Sequence, residues 1–126
     1  MTNYQIGDFL IRLKNASLAK AKEVAGIMAT NFIKETAAAL KKAGILDKIE
    51  DKDGSLTVSL AYRNKQPVLI DLKIVSRPGL RVYKNVEELE KEKGYYFLLV
   101  STSKGIMASR EAIKQRLGGE IIAKIW

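Results

Sequence analysis

The segment Val100 to Met107, VSTSKGIM, places three hydroxyl side chains, a lysine and a glycine directly after an apolar run. The hydroxyls at positions 101–103 can donate and accept hydrogen bonds, so they can meet base edges and ribose 2′-hydroxyls of RNA. Lys104 can contact phosphate, and Gly105 allows a ligand to approach the backbone. Local chemistry leaves two interpretations open, an RNA contact surface and a turn solvated by small polar residues.

An enzymatic interpretation of the same segment is a hydrolase that uses Ser101 and Lys104, because these residues fit the S-x-x-K pattern of penicillin-binding enzymes. The pattern also requires a serine that opens a helix and later S-D-N or K-T-G elements, which the sequence lacks. The chain has no His and no Cys, which excludes the usual general base, the serine and cysteine triads and thiolate or imidazole metal ligands. We therefore predict that the protein is not an enzyme and carries no cofactor and no metal.

A second group of candidate binding residues surrounds the turn dipeptide Pro78-Gly79. Arg77 and Arg81 bracket this turn, and Tyr83 and Lys84 follow it. Arginine can bind phosphate through two parallel hydrogen bonds, and tyrosine can stack on an unpaired base. The mixture is typical of RNA contact, with a solvated hairpin as the alternative.

A third basic group lies in the first helix and the loop after it, where Arg12 and Lys14 precede Lys20 and Lys22. A run of charged residues is usually a solvent-exposed face. Only the net positive charge of the whole chain favours the interpretation that these residues contact the phosphates of a nucleic acid. Lys41-Lys42 fall in the last turn of the second helix, where they complement the helix dipole, and are interpreted as structural.

The chain has 22 Lys plus Arg against 14 Asp plus Glu, a net charge of +8. Such a surface attracts polyanions, and nucleic acid is the commonest of them. A nonspecific binder of DNA or duplex RNA is a further alternative. Membrane association is not expected, because no amphipathic helix with segregated cations is evident and the longest apolar run, Tyr95 to Val100, is too short to span a bilayer. The N-terminus lacks a secretion signal, so we expect a cytoplasmic protein.

The N-terminal half is predicted to be an α-β-α-β-β lobe. Its expected elements are a helix to about Ala16 with Ile6, Phe9, Leu10 and Leu13 on one face, a strand over Glu23–Met28, a helix that begins after Thr30 and ends at Gly44, and two hairpin strands on either side of Asp53-Gly54.

The C-terminal half is predicted to be mainly antiparallel β with short helices, which makes the protein α+β. Residues 1–66 form the first lobe, Tyr62 to Pro67 serve as the linker, and residues 67–126 form the second lobe. The expected elements are strands over 68–74, 80–83, 95–100 and 120–126, helices from Asn85 to Glu92 and from Ser109 to about Arg116, a loop over Ser101–Gly105, and a helix stop at Gly118-Gly119.

Four blocks of the sequence carry a family resemblance. They are DFLIRLKNAS (Asp8 to Ser17), VSRPGLRVYK (Val75 to Lys84), VSTSKGIM (Val100 to Met107) and LGGEIIAKIW (Leu117 to Trp126). Together they resemble the bacterial small-subunit ribosomal protein eight family in the same order and with similar spacing. The resemblance covers essentially the whole chain.

The resemblance implies a two-lobed α+β protein without catalytic activity or a small-molecule substrate. It implies direct, early binding to the central domain of small-subunit ribosomal RNA and assembly of the platform, with proteins five and twelve as neighbours. In the family the second lobe grips an irregular RNA helix with unpaired bases, and the first lobe adds backbone contacts. Many bacterial members also repress translation of their own messenger RNA.

Carried over position by position, the resemblance implies an RNA site in the second lobe with supporting residues elsewhere. The residues that would line the site are Ser101, Thr102, Ser103, Lys104 and Gly105, with Gly119, Glu120 and Tyr83 beside them. The residues that would hold phosphates or the turn are Arg12, Lys14, Asn15, Arg77 and Arg81.

The chain departs from the family pattern at three places. Ala123 stands where a cysteine is frequent, Lys124 where an aromatic residue is frequent, and Ala108-Ser109 where a threonine and an aspartate commonly start a helix. The third departure is expected to loosen the helix at Ser109, because it removes the usual cap.

Overall fold

A computed structural model describes residues 2–92 and 94–126 of the chain. In these ranges the elements are α1 (Thr2–Leu18), β1 (Glu23–Met28), α2 (Asn31–Lys42), β2 (Leu46–Lys52), β3 (Ser55–Leu60), β4 (Tyr62–Arg63), β5 (Gln66–Pro67), β6 (Leu72–Ile74), β7 (Tyr83–Lys84), α3 (Val86–Glu90), β8 (Phe97–Thr102), β9 (Gly105–Ala108), α4 (Ser109–Lys114) and β10 (Gly119–Ile125).

The strands form antiparallel sheets, so the predicted α+β class is confirmed. Strands β1, β3 and β2 make a first sheet in that order. A second sheet has the order β6-β10-β8-β9, and β7 also pairs with β10. Strand β10 therefore pairs with three strands of this sheet, and the other members are arranged around it.

The N-terminal elements form largely as their sequence signals predict. The four apolar residues Ile6, Phe9, Leu10 and Leu13 are all buried on one face of α1. Thr30 caps α2 by accepting a hydrogen bond from the Ile33 N–H. Gly44 has a φ of +88° just after that helix. Asp53 and Gly54 both have positive φ, as a two-residue hairpin turn between β2 and β3 requires.

One hydrophobic cluster extends through both halves of the chain. Leu13 of α1 and Leu40 of α2 belong to the same buried cluster as Leu99 of β8, Ile106 of β9 and Ile125 of β10. Polar contacts cross the same boundary, since the Ser17 hydroxyl donates to the Leu69 carbonyl at 2.5 Å. The two halves therefore share a core, and the division of the chain at residue 66 stays a prediction.

The segment predicted as a linker is an ordered hairpin. Strands β4 and β5 pair with each other, and the two residues between them, Asn64 and Lys65, have φ values of 53° and 66°. The Tyr62 hydroxyl donates to the Ala21 carbonyl at 2.9 Å, which fixes the hairpin against the α1–β1 loop. The linker interpretation included no strands; the tight turn forms without glycine because asparagine tolerates positive φ.

The strand predicted over Val68–Ile74 was too long. Only Leu72–Ile74 forms a strand, and the buried residue before it is Leu69 while Ile70 is 69% exposed. The Asp71 carboxylate accepts from the Leu72 N–H, and the N–H groups of both Ile70 and Asp71 donate to the Trp126 carbonyl. These hydrogen bonds replace a regular strand ladder, so the apolar alternation of the segment does not correspond to one sheet face.

Other boundaries in the second half also differ from the prediction. Tyr95 is fully exposed, and the strand predicted to begin there begins at Phe97. Strand β9 occupies positions where no strand was expected, and the strand expected at Leu80–Tyr83 is limited to β7. Helix α4 ends at Lys114, before the predicted stop at Gly118-Gly119. The left-handed residue after it is Arg116, with a φ of 60°.

No helix in the described ranges is both long and apolar enough to cross a bilayer.

Candidate nucleic-acid interface

Four neighbouring strands bring several of the predicted site residues into one row. Glu120 of β10 lies opposite Tyr83 of β7 on one side and opposite Ser101 of β8 on the other. Ser101 in turn lies opposite Ile106 of β9. Directly opposed residues of antiparallel strands project on the same face, so Tyr83, Glu120 and Ser101 share one face of the sheet. We call the segments Tyr83–Lys84, Ser101–Gly105 and Gly119–Glu120 the strand-end surface.

The segment expected as a loop over Ser101–Gly105 is a tight hairpin between β8 and β9. Thr102 lies opposite Gly105, and the turn consists of Ser103 and Lys104. The Thr102 hydroxyl donates to the Gly105 carbonyl at 2.8 Å and accepts from the Lys104 N–H at 3.1 Å. This hydroxyl is therefore used within the turn, and it holds the turn in one conformation.

The hydroxyls on either side of Thr102 are available to a ligand. Ser103 and Lys104 are exposed, and Ser101 is half-buried at the end of β8. In the described part of the chain, no protein group accepts from or donates to the side chains of these three residues. The hairpin therefore presents two hydroxyls and an ammonium group on a rigid support, a suitable arrangement for hydrogen bonds to sugar and base edges and for a phosphate contact.

Gly118 and Gly119 permit close packing of the backbones around the strand-end surface. A Cβ at Gly118 would lie 2.6 Å from the Lys84 carbonyl oxygen and 2.8 Å from the Asn85 Cα. A Cβ at Gly119 would overlap the Ser101 carbonyl oxygen and lie 2.9 Å from the Ser101 carbonyl carbon. The prediction that the pair stops a helix was wrong, because these glycines are required by the approach of β10 to its neighbours.

The two arginines around Pro78-Gly79 have different surroundings. The predicted turn is confirmed, since Gly79 has a φ of 91° and Arg77 and Leu80 exchange backbone hydrogen bonds across it. Arg81 forms an ion pair of 3.2 Å with Glu120, which links the turn to the strand-end surface. Arg77 is exposed, and its guanidinium forms no ion pair with any residue that the structure describes.

Glu35 of α2 is a residue of this region that the sequence reasoning missed. Its carboxylate accepts a hydrogen bond of 3.0 Å from the Ile106 N–H, at the start of β9. Gly105 has a φ of 115°, and a Cβ there would lie 3.0 Å from the same carboxylate oxygen. Glu35 thus holds the β8–β9 hairpin from the first half of the chain. A single glutamate in a helix carries no sequence signal for such a contact, because its partner lies 71 positions away.

The predicted site residues of α1 are not brought to the strand-end surface. Arg12 donates to the Ala25 carbonyl of β1 at 2.5 Å, and Asn15 is exposed on the same helix. Helix α1 packs mainly against α2, β1 and β6. Any RNA contact by Arg12 and Asn15 would therefore be a separate contact.

Lys14 has a structural partner. Its ammonium group lies 3.1 Å from the Asp71 carboxylate. The hydrogen bond from Lys14, followed by that from the Leu72 N–H, lowers the pKa of Asp71. Lys14 therefore ties α1 to the segment before β6, and a phosphate would have to compete with Asp71 for it.

The structure does not place Ser101 and Lys104 as the hydrolase pattern requires. Ser101 lies inside β8, whereas the hydrolase pattern requires its serine at the start of a helix. Among the described residues, no group of three or more His, Cys, Asp or Glu side chains is placed to hold a metal ion.

The departures from the family pattern have local structural consequences. The Lys124 ammonium lies 4.1 Å from the centre of the Tyr96 ring, a cation–π contact. The Tyr96 hydroxyl donates to Glu92 at 2.7 Å, and this bond raises the pKa of the tyrosine. Helix α4 has no side-chain cap at Ala108, and the Ser109 hydroxyl accepts from the Leu98 N–H instead.

Comparison with known proteins gives a consistent result. The family model described as "Ribosomal protein S8" matches residues 4–126. The chain is 44% identical to the small ribosomal subunit protein uS8 of Thermosynechococcus vestitus and 40% identical to that of Nostoc punctiforme, in each case over 98% of both chains. It is 42% identical to the protein of the same name from Streptococcus pneumoniae serotype 19F over 96% of both chains.

Proposed function

Since the chain belongs to the ribosomal protein S8 family, we propose that it is a structural, noncatalytic component of the small ribosomal subunit that binds ribosomal RNA directly. Its RNA site would be the strand-end surface, and its target an irregular stem in the central domain of small-subunit ribosomal RNA. Binding there would help to assemble the platform of the subunit in the cytoplasm, beside proteins five and twelve.

The observation that carries the proposal is the difference in use between the neighbouring hydroxyls of the β8–β9 hairpin. The Thr102 hydroxyl is occupied by two hydrogen bonds inside the turn, and those of Ser101 and Ser103 point to no protein partner in the described residues. A turn that served only to connect strands would need the hydrogen-bonded hydroxyl of Thr102 but not the hydroxyls without a protein partner. The occupied one fixes the geometry, and the others offer donors and acceptors at fixed positions.

The shape of this surface favours a distorted RNA over a regular duplex. A-form RNA hides its base edges in a deep and narrow major groove, so a two-residue turn cannot reach them there. Unpaired bases in an internal loop expose those edges, and the exposed ring of Tyr83 is available to stack on or support one of them. We therefore expect a preference for bulged stems over bulk duplex.

Phosphate contacts would add affinity without adding sequence preference. Lys104 of the strand-end surface and Arg77 of the Pro78-Gly79 turn are exposed cations without an ion pair in the described ranges, and Arg81 forms an ion pair with Glu120. Such contacts release counterions, so binding should weaken as salt is raised.

The test is footprinting of the purified chain on small-subunit ribosomal RNA, followed by titration with the protected stem. Ser103→Ala should weaken binding by about 1–3 kcal/mol, because an RNA donor or acceptor loses its partner. Its free energy of unfolding should stay unchanged, since the Ser103 side chain has no partner among the described residues.

The matched control is Thr102→Val, which removes the neighbouring hydroxyl that organises the turn. We expect it to lower both the free energy of unfolding and RNA affinity, each by about 1 kcal/mol. Equal binding of Ser103→Ala and the unmodified chain would count against the hairpin as the RNA site. Equal affinity for the protected stem and an arbitrary duplex would support the nonspecific alternative.

Repression of its own messenger RNA would use the same surface. A messenger that folds into a similar bulged stem would compete with ribosomal RNA for the strand-end surface. Mutual displacement of the two RNAs, lost in Ser103→Ala, is the expected result.

A further inference from the structure

A groove of about 750 Å³ lies between α2 and the segment formed by β9 and α4. This volume is in the range of concave binding sites in proteins. Its apolar lining includes Ala39 of α2, Phe97 of β8, Met107 of β9 and Ile113 of α4. The groove adjoins the strand-end surface only at Lys104 and Gly105, so most of its wall is not part of the proposed RNA site.

The charged residues of the groove leave an excess of positive charge. Arg110 and Lys114 of α4 and Lys104 of the hairpin line the groove and are exposed, and none forms an ion pair with a described residue. The carboxylates of the lining are already engaged. Glu111 pairs with Lys42 at 2.8 Å, and Glu35 accepts from the Ile106 N–H.

We propose that this groove binds a peptide segment of a second protein, one that combines apolar side chains with carboxylates. The apolar wall would bury the first, and Arg110 and Lys114 would pair with the second. RNA fits less well, because its phosphates and riboses are polar and gain little from contact with a wall made mainly of aliphatic side chains. The inference extends the proposed function, since in the subunit the second protein would be a neighbouring ribosomal protein.

The first experiment uses the absence of cysteine from the chain. Ala38→Cys introduces a single thiol in the groove, and Lys48→Cys introduces one on β2, outside the lining. Each variant is labelled with a benzophenone maleimide, assembled into small subunits and irradiated. The expected result is an adduct between position 38 and a protein segment that contains apolar residues and Asp or Glu, absent from position 48. Adducts to nucleotides alone, or none in assembled subunits, would overturn the proposal.

The second experiment uses the isolated chain, so that its outcome does not depend on the proposed function. The probe is a fluorescent peptide of alternating leucine and glutamate, and its control has serine in place of each leucine at the same charge. We expect saturable binding of the leucine peptide, about tenfold tighter than the serine peptide, because leucine burial adds apolar stabilisation. Equal binding of the two peptides, or none, would contradict a groove of this chemistry.

Charge-reversed variants locate the binding site. Arg110→Glu combined with Lys114→Glu should lower the affinity for the leucine peptide by about tenfold. Lys41→Glu, on α2 but outside the lining, should leave this affinity unchanged. Affinity for the protected RNA stem should be nearly the same in the double variant and in Lys41→Glu combined with Lys48→Glu, which changes the net charge by the same amount at residues outside the lining. A loss of RNA affinity specific to the double variant would assign the groove to RNA. If the chain does not assemble into subunits but binds the leucine peptide, the proposed ribosomal function is refuted and the peptide-binding role of the groove is retained.

Discussion

Substitution of Gly119 by alanine tests how closely β10 must approach β8. Gly119 is not in the left-handed region, so alanine causes no backbone strain of its own. Its Cβ would lie 2.9 Å from the Ser101 carbonyl carbon and 3.2 Å from the Thr102 Cα. Moving the first of these atoms out to the 3.4 Å where ordinary contact begins requires a displacement of at least 0.5 Å. Both neighbours are backbone atoms, so no side-chain rotation can relieve the overlap.

The displacement should reduce stability and RNA affinity together. Overpacking in a well-packed region costs about 1–3 kcal/mol, which the midpoint of urea unfolding measures directly. Binding residues must stay within about 0.5 Å of their productive positions. A shift at Ser101 and Thr102 should therefore lower the affinity for the protected RNA stem by at least about tenfold, measured at a temperature where the variant is folded.

Gly7→Ala is the matched control, because its Cβ would meet nothing within 4 Å and its position is inside α1. Alanine is favoured over glycine in a helix by about 1 kcal/mol, so this variant should be more stable and bind RNA unchanged. A Gly119→Ala variant with the stability and RNA affinity of the unmodified chain would refute the close approach of the two backbones.

Two further contacts give predictions of their own. Glu35→Ala should weaken RNA binding by about 0.5–1.5 kcal/mol, because it removes the acceptor of the Ile106 N–H. Glu35→Gln should retain most of the affinity, since its amide oxygen can accept the same hydrogen bond. Equal RNA titration curves for the two variants would contradict the role of Glu35 in holding the hairpin. Lys14 lowers the pKa of Asp71 in the folded chain. The stabilisation of the fold by the Lys14–Asp71 pair is therefore present above pH 3.8, the ordinary pKa of this carboxyl group, and is lost as the pH falls through the lower pKa of the folded chain. The difference in Tm between the unmodified chain and Asp71→Asn should therefore be constant near neutral pH and shrink in acid, and a difference independent of pH would exclude the pair as its source.

Local signals in the sequence predicted the N-terminal half well. The spacing of Ile6, Phe9, Leu10 and Leu13, the cap at Thr30 and the turn at Asp53-Gly54 each act within a few residues of their position. Their effects do not depend on distant parts of the chain, so hydrophobic periodicity and turn chemistry were sufficient to predict these helices and this hairpin.

The errors concern positions where distant contacts decide the structure. Val68 to Ile74 alternate like a strand, but the N–H groups of Ile70 and Asp71 donate to the Trp126 carbonyl, which lies more than 50 positions away, and override the pattern. Gly118-Gly119 resemble a helix stop in sequence, and their actual requirement is the proximity of Lys84, Asn85 and Ser101. Such proximity is a property of the folded sheet and leaves no local trace in composition.

Which candidate residues lie together could be inferred from the sequence only in part, for the same reason. The residues from Ser101 to Gly105 are contiguous, so their shared surface follows from the sequence, and strand pairing adds Tyr83, Gly119 and Glu120. The contact from Glu35 and the ion pair that occupies Lys14 could not be inferred, because both depend on how the two halves pack.

The position of β10 in the second sheet limits when this surface can exist during synthesis. Strands β6, β7 and β8 all precede β10 in the chain, and each pairs with it. Until residues 119–125 have left the ribosome, these three strands lack their common neighbour and their edges stay open. A nascent or prematurely ended chain therefore has no assembled strand-end surface, and the RNA contact proposed for this surface requires translation through β10.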